Sequence, residues 1–102
     1  MPGILEDLTE SIGVPVAATL PVEGDLIVLF DYYEARQKHV WDNLMRVSPD
    51  GTIVWRASPP TSTAGFTKIE WIGGNLMAWT WECFMLRLDP ASGRVLESTF
   101  VK

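Results

Sequence analysis

Histidine and cysteine are almost missing from this 102-residue sequence: each occurs once, as His39 and Cys83. That scarcity leaves no ligand set for zinc, and no Asp-rich loop offers a calcium site, so neither a metal nor a cofactor is expected. A lone Cys83 forms no internal disulfide, so the fold needs no oxidising compartment. Beside Phe84 it is expected to pack as a small buried apolar residue rather than to react, because a thiolate wants a nearby base and only His39 is available. Positive charge is also in short supply. Eight Lys and Arg stand against thirteen Asp and Glu, for a net charge of −5. Nucleic acid is excluded as a partner on that balance, since phosphate neutralisation needs clustered cations. The one basic cluster, Arg36, Lys38 and His39, is flanked by Glu34 and Asp42 and reads as a solvated loop. No apolar run approaches the roughly 18 residues of a spanning helix, so no membrane is expected. Met1 to Leu8 lacks a basic stretch and carries Glu6 and Asp7, which predicts no secretory leader and a cytoplasmic protein. No Gly-rich phosphate loop, GxSxG elbow or HExxH helix occurs, and no catalytic residue is assigned.

What the chain does have is apolar bulk. Hydrophobic residues make up 47%, with five Trp, four Phe and two Tyr. A single domain over 1–102 is expected, long enough to bury roughly two-thirds of its unfolded surface. Ile4, Leu5, Leu8 and Ile12 fall near a 3.6-residue spacing, which fits one or two helical turns or an irregular arm, stopped by Gly13 and Pro15. From Val14 onward the pattern is β. Val14 to Val22 alternates, with Pro15 and Pro21 marking an edge strand. Leu26 to Tyr33 is apolar on both faces until Asp31, as suits a strand covered on both sides. Glu34 to Val40 reads as a hairpin loop or the exposed end of two long strands. Further strands are predicted over Trp41–Ser48, Thr52–Ala57, Phe66–Ile72, Leu76–Glu82, Cys83–Asp89 and Arg94–Val101, separated by Pro, Asp, Asn and Gly turns.

Two stretches repeat. Arg46 and Arg87, and likewise Pro49 and Pro90, are 41 positions apart, and Gly51 and Gly93 are 42 apart. Glu23-Gly24-Asp25-Leu26 is mirrored by Gly73-Gly74-Asn75-Leu76, 50 positions on. Met45 and Val47 match Leu86 and Leu88 in apolar phase. Arg46 and Arg87 then fall on the opposite face, where a neighbouring-strand acid such as Asp31 or Glu82 can pair with them. The fold class is therefore all-β: two four-stranded antiparallel units, about 14–57 and 66–101, behind a short N-terminal arm. The loop Ser58 to Gly65 divides them.

The repeat resembles the blade of quinoprotein-like (PQQ-type) β-propellers. Asp89-Pro90-Ala91-Ser92-Gly93-Arg94 matches the front of the blade motif, and Gly51 and Trp55 match its Gly-to-Trp spacing. Ser48 replaces the first motif Asp, Glu97 stands in place of the second Trp, and no adjacent Cys pair is present. The resemblance implies blade-shaped sheets and carries no redox chemistry. Two blades cannot close a ring, so either the sheets close on each other as a sandwich or flattened barrel, or copies assemble into a larger propeller.

Trp71, Trp79 and Trp81 gather on one hairpin, with Glu70 and Glu82 beside them. Trp79 and Trp81 are two apart and so are predicted on one strand face, shared with Met77. These five residues are the candidate ligand or interface set. The expected function is non-enzymatic: a protein–protein interaction or self-assembly module, as a homo-oligomer or with a protein partner. The alternative is lectin-like carbohydrate binding, with sugar rings stacked on the Trp hairpin.

Overall fold

The computed structural model describes residues 3–59 and 65–101; of the expected Ser58–Gly65 divide, 60–64 lie outside the described residues. The fold is two four-stranded antiparallel sheets with a short helix in front of the first and another inside it. The elements are α1 (Ile4–Ile12), β1 (Val16–Val22), β2 (Asp25–Phe30), α2 (Tyr32–Gln37), β3 (Leu44–Val47), β4 (Ile53–Ala57), β5 (Phe66–Ile72), β6 (Asn75–Thr80), β7 (Phe84–Leu88) and β8 (Val95–Phe100). The strand orders are β1-β2-β3-β4 and β5-β6-β7-β8, and the sheets do not close into a barrel.

The two sheets share their register in detail. Val22 pairs with Asp25 in the first hairpin, and Ile72 pairs with Asn75 in the second. Both hairpins turn through two residues at positive φ, Glu23 and Gly24 or Gly73 and Gly74, which matches the right-handed strand twist. Register shifts fall at Val16/Ala18 and Phe66/Lys68, 50 residues apart, and again at Arg46/Val47 and Arg87/Leu88, 41 apart.

The apolar phase agrees between the sheets, but the neighbours differ. In the first sheet Val28, Phe30, Met45 and Val47 pack with Leu8 and Val14 beneath α1, and Leu5 and Ile12 lie against that cluster. Their counterparts Ala78, Leu86 and Leu88 instead pack against the other face of the first sheet, on Val22, Ile27, Leu29, Leu44, Trp55 and Ala57. The sheets are thus stacked head to tail, each offering the next an unlike face. Arg46 does not lie on a solvent face as its alternation predicts, because both faces of the first sheet are covered. It is 9% exposed and bonds Asp25 Oδ2 at 2.8 Å, not Asp31. Arg87 pairs with Glu97 at 3.3 Å, not with Glu82.

Polar clamps join the stack, the most buried of them at Asn43 and at the Pro90 carbonyl. Asn43 is fully buried. Its Nδ2 donates to the Phe30 carbonyl at 2.9 Å and the Phe66 carbonyl at 2.8 Å, and its Oδ1 accepts the Phe66 N–H at 2.8 Å. Farther along, the Pro90 carbonyl accepts Trp55 Nε1 at 2.7 Å and Arg46 Nη1 at 2.8 Å. The Trp55 ring lies over Gly93, where an added Cβ would stand 2.5 Å from Cε3, on a backbone already at φ +76.

Four sequence expectations are corrected. β2 ends at Phe30 rather than Tyr33, because Asp31 caps a helix: its Oδ2 accepts the Glu34 N–H at 3.0 Å. That helix, α2, takes up most of the expected Glu34–Val40 loop, burying Tyr32 and Ala35. β3 is four residues rather than Trp41–Ser48, since the preceding segment turns Asn43 into the sheet junction. Cys83 is exposed, not buried, because it sits at φ +68 in the β6–β7 turn with its N–H on the Thr80 carbonyl at 3.1 Å.

Gly93→Ala strains the backbone and drives a methyl group into Trp55. Urea denaturation of this variant is expected to show a loss of about 3 kcal/mol. Asn43→Ala leaves buried backbone groups unpaired at the junction and is expected to cost about 3 kcal/mol in the same assay, against less than about 0.5 kcal/mol for the exposed Thr19→Ala.

Candidate functional site

The three hairpin tryptophans do not converge. Trp71 turns inward, packing against the inter-sheet core, and its Nε1 donates to the Pro21 carbonyl at 3.1 Å. Trp79 lies on the outer face of the second sheet, where Lys68 Nζ stands 4.6 Å from its ring centroid. Trp81 lies beyond β6, in the turn, so strand alternation no longer governs it. Its ring stacks on Tyr32 with centroids 5.2 Å apart and planes 11° from parallel. Glu70 pairs with Lys68 at 3.4 Å on the outer face, and Glu82 is an exposed residue of the β6–β7 turn. The single aromatic platform predicted from Trp71, Trp79 and Trp81 is therefore not formed, because three different neighbours claim the rings.

A different constellation takes its place. Tyr33 stands edge-on to both Tyr32 and Trp81, at 5.4 and 6.2 Å between centroids. Tyr33 is 60% exposed and Trp81 50% exposed. The three rings border a cleft of about 370 Å³, also lined by Ala17, Leu29, Asp31, Thr67 and Thr80. That volume is at the small end of ligand sites. Ala17 and Thr67 are the extra residues at the matched β1 and β5 register shifts, where a bulge re-aims the strand. The cleft thus lies where the two irregular strand starts meet.

Local chemistry fixes each wall. Asp31 is held by its N–H on the Pro15 carbonyl at 2.8 Å and caps α2, which projects Tyr32 and Tyr33. Gly65 lets the chain pass against Tyr32: an added Cβ would stand 3.0 Å from the ring and 3.3 Å from Asn43 Oδ1. The Gly65 carbonyl in turn accepts the Trp81 N–H at 3.1 Å. The Thr67 hydroxyl donates to the Trp79 carbonyl at 3.3 Å, and the Thr80 hydroxyl accepts the Phe84 N–H at 3.3 Å. The Asp50 carboxyl, lowered to about 2 by the Ser48 hydroxyl and the Thr52 N–H, belongs to the β3–β4 turn and takes no part in the cleft.

Among the described residues no group of three or more His, Cys, Asp or Glu is placed to hold a metal ion. No helix among them is long and apolar enough to cross a membrane. Among the described residues the arrangement offers exposed π faces, one carboxylate and two threonine hydroxyls around a shallow cavity, which suits reversible binding. Of the cleft residues the sequence reading singled out only Trp81 as a site. Tyr32, Tyr33 and Asp31 were visible as the end of a strand, and their joint role depends on α2.

The family described as a domain of unknown function (DUF7957) has a sequence profile that matches residues 8–100, and the chain belongs to that family. No curated protein matches the chain.

Proposed function

We propose that this member of the family is a non-enzymatic binding module that engages a protein partner at the Trp81 cleft. The observation that carries the reading is the exposure of Tyr33 and Trp81 over a cavity whose floor is fixed by buried groups. Half-exposed aromatics on a rigid support are the residues that dominate protein interfaces, because large apolar area is presented at little cost in side-chain entropy. Carbohydrate binding is the second reading. It is favoured by Asp31, Thr67 and Thr80 lining the same cleft, and it uses Trp81 without Trp71 or Trp79.

The propeller-blade reading is supported by the matched register shifts and the head-to-tail stacking, in which Trp55 of one unit sits on the Pro90–Gly93 turn of the next. Ring completion by further copies has less support than an unlike partner. α1 occupies the outer side of the first sheet. On the outer side of the second, Lys68, Glu70, Glu97 and Thr99 stand where the first has Ala18, Leu20, Trp55 and Ala57. Polar residues on both flanks of a face whose middle holds Met77, Trp79 and Met85 work against a further sheet docking there. Sedimentation equilibrium is expected to give the 11.4 kDa mass of one chain; a stable dimer or trimer at micromolar concentration would restore the ring.

The binding reading is tested with peptides selected from a random displayed library against the intact chain. Trp81→Ala and Tyr33→Ala are expected to weaken the best peptide at least about tenfold, with Trp79→Ala leaving it unchanged. Equal affinity across all three variants overturns the cleft as the site. A methyl glycoside titration that shifts Trp81 when no peptide does would favour the sugar.

A further inference from the structure

We propose that the Trp81 cleft is selective for a cationic side chain, and that its occupant is an arginine of the partner protein; this rests on the cleft being the binding site. Among the described residues that line the cleft, Asp31 is the only carboxylate and no basic side chain accompanies it. Among the described residues the other acids near cations are neutralised within the chain: Glu23 and Asp25 by Arg46, Asp42 by Arg56, Glu70 by Lys68 and Glu97 by Arg87. Asp31 enters no such pair among the described residues. Its Oδ2 accepts the Glu34 N–H at 3.0 Å, which leaves Oδ1 to a ligand.

The aromatic walls complete the argument. Trp81 is backed on one side by Tyr32, stacked at 5.2 Å, and Tyr33 meets the pair edge-on. A ring backed in this way keeps its remaining face for a visitor. The face of an indole carries partial negative charge and attracts a cation within about 6 Å of its centroid. The Asp31 carboxylate, which lines the same cleft, adds a second attraction of the same sign. Guanidinium suits both groups at once. It is planar, so it stacks on the indole, and its N–H fork points to a carboxylate in its own plane. It is also more weakly hydrated than an ammonium, so less is lost when the cleft strips its water. The net charge of −5 steers a basic partner to the molecule as a whole.

The experiment is a titration of the intact ¹⁵N-labelled chain with acetyl-Gly-Arg-Gly-amide, following the Trp81 indole N–H. Acetyl-Gly-citrulline-Gly-amide is the neutral control of the same shape, and acetyl-Gly-Lys-Gly-amide tests planarity. The Arg peptide is expected to shift the Trp81 signal with millimolar affinity, at least about tenfold tighter than citrulline and severalfold tighter than Lys. Asp31→Asn preserves the helix cap, since Asn caps as well as Asp. It is expected to remove most of the preference for Arg over citrulline. Its thermal unfolding midpoint is recorded alongside to confirm the native fold. Equal binding of Arg and citrulline, or full Arg preference in Asp31→Asn, overturns the cation inference and leaves the cleft as a binding site. No response of Trp81 to any of the three peptides, together with displayed peptides indifferent to Trp81→Ala, overturns both.

Discussion

The Asn43 amide holds the molecule together at its most consequential point. With three hydrogen bonds and no exposed surface, it ties the end of β2 to the start of β5. A buried amide that lost one of these partners would be left with an unsolvated polar group, so the junction is either complete or strongly disfavoured. Everything around the cleft follows from it. Phe30 leads into Asp31 and α2, and Phe66 follows Gly65, which receives the Trp81 N–H. The aromatic walls come from α2 and from the β6–β7 turn, and this amide helps set the distance between them.

The second constraint is the use of one strand pattern in two surroundings. Residues of equal phase face α1 in the first sheet and the first sheet itself in the second. A two-fold sandwich would bring like faces together; this stack brings unlike ones. That is why Trp55 has a seat on the Pro90–Gly93 turn while its counterpart Glu97 has none and pairs with Arg87 in solvent. Duplicated sequences therefore need not have duplicated environments.

Much of the fold was legible in the sequence because it rests on local chemistry. Hairpin turns at Gly24 and Gly74, the eight strands, the edge position of β1 and the doubly covered β2 are each written within a few residues. α2 was missed, although Asp31 followed three positions on by Glu34 is a helix-start signal, because the apolar run Leu26–Phe30 before it reads as a continuing strand. Other features were not legible. Nothing near Asn43 marks it as a clamp, since its partners lie 13 and 23 residues away. The fates of the tryptophans diverged for the same reason. Trp79 obeyed alternation, Trp71 found Pro21 fifty residues away, and Trp81 left its strand for Tyr32. Spacing predicts which side of a strand a residue takes, but not which distant group waits there.

The two ends of the stack are closed by different means, and the difference bears on how such chains lengthen or shorten over time. At one end the stop is a nine-residue helix, α1, an element that must be lost or displaced as a whole before anything else can dock. At the other it is a handful of side chains on an otherwise ordinary sheet, Lys68, Glu70, Glu97 and Thr99 among them. On the proposed reading a further unit would find only side chains in its way on the second sheet, whereas on the first it would have to displace α1.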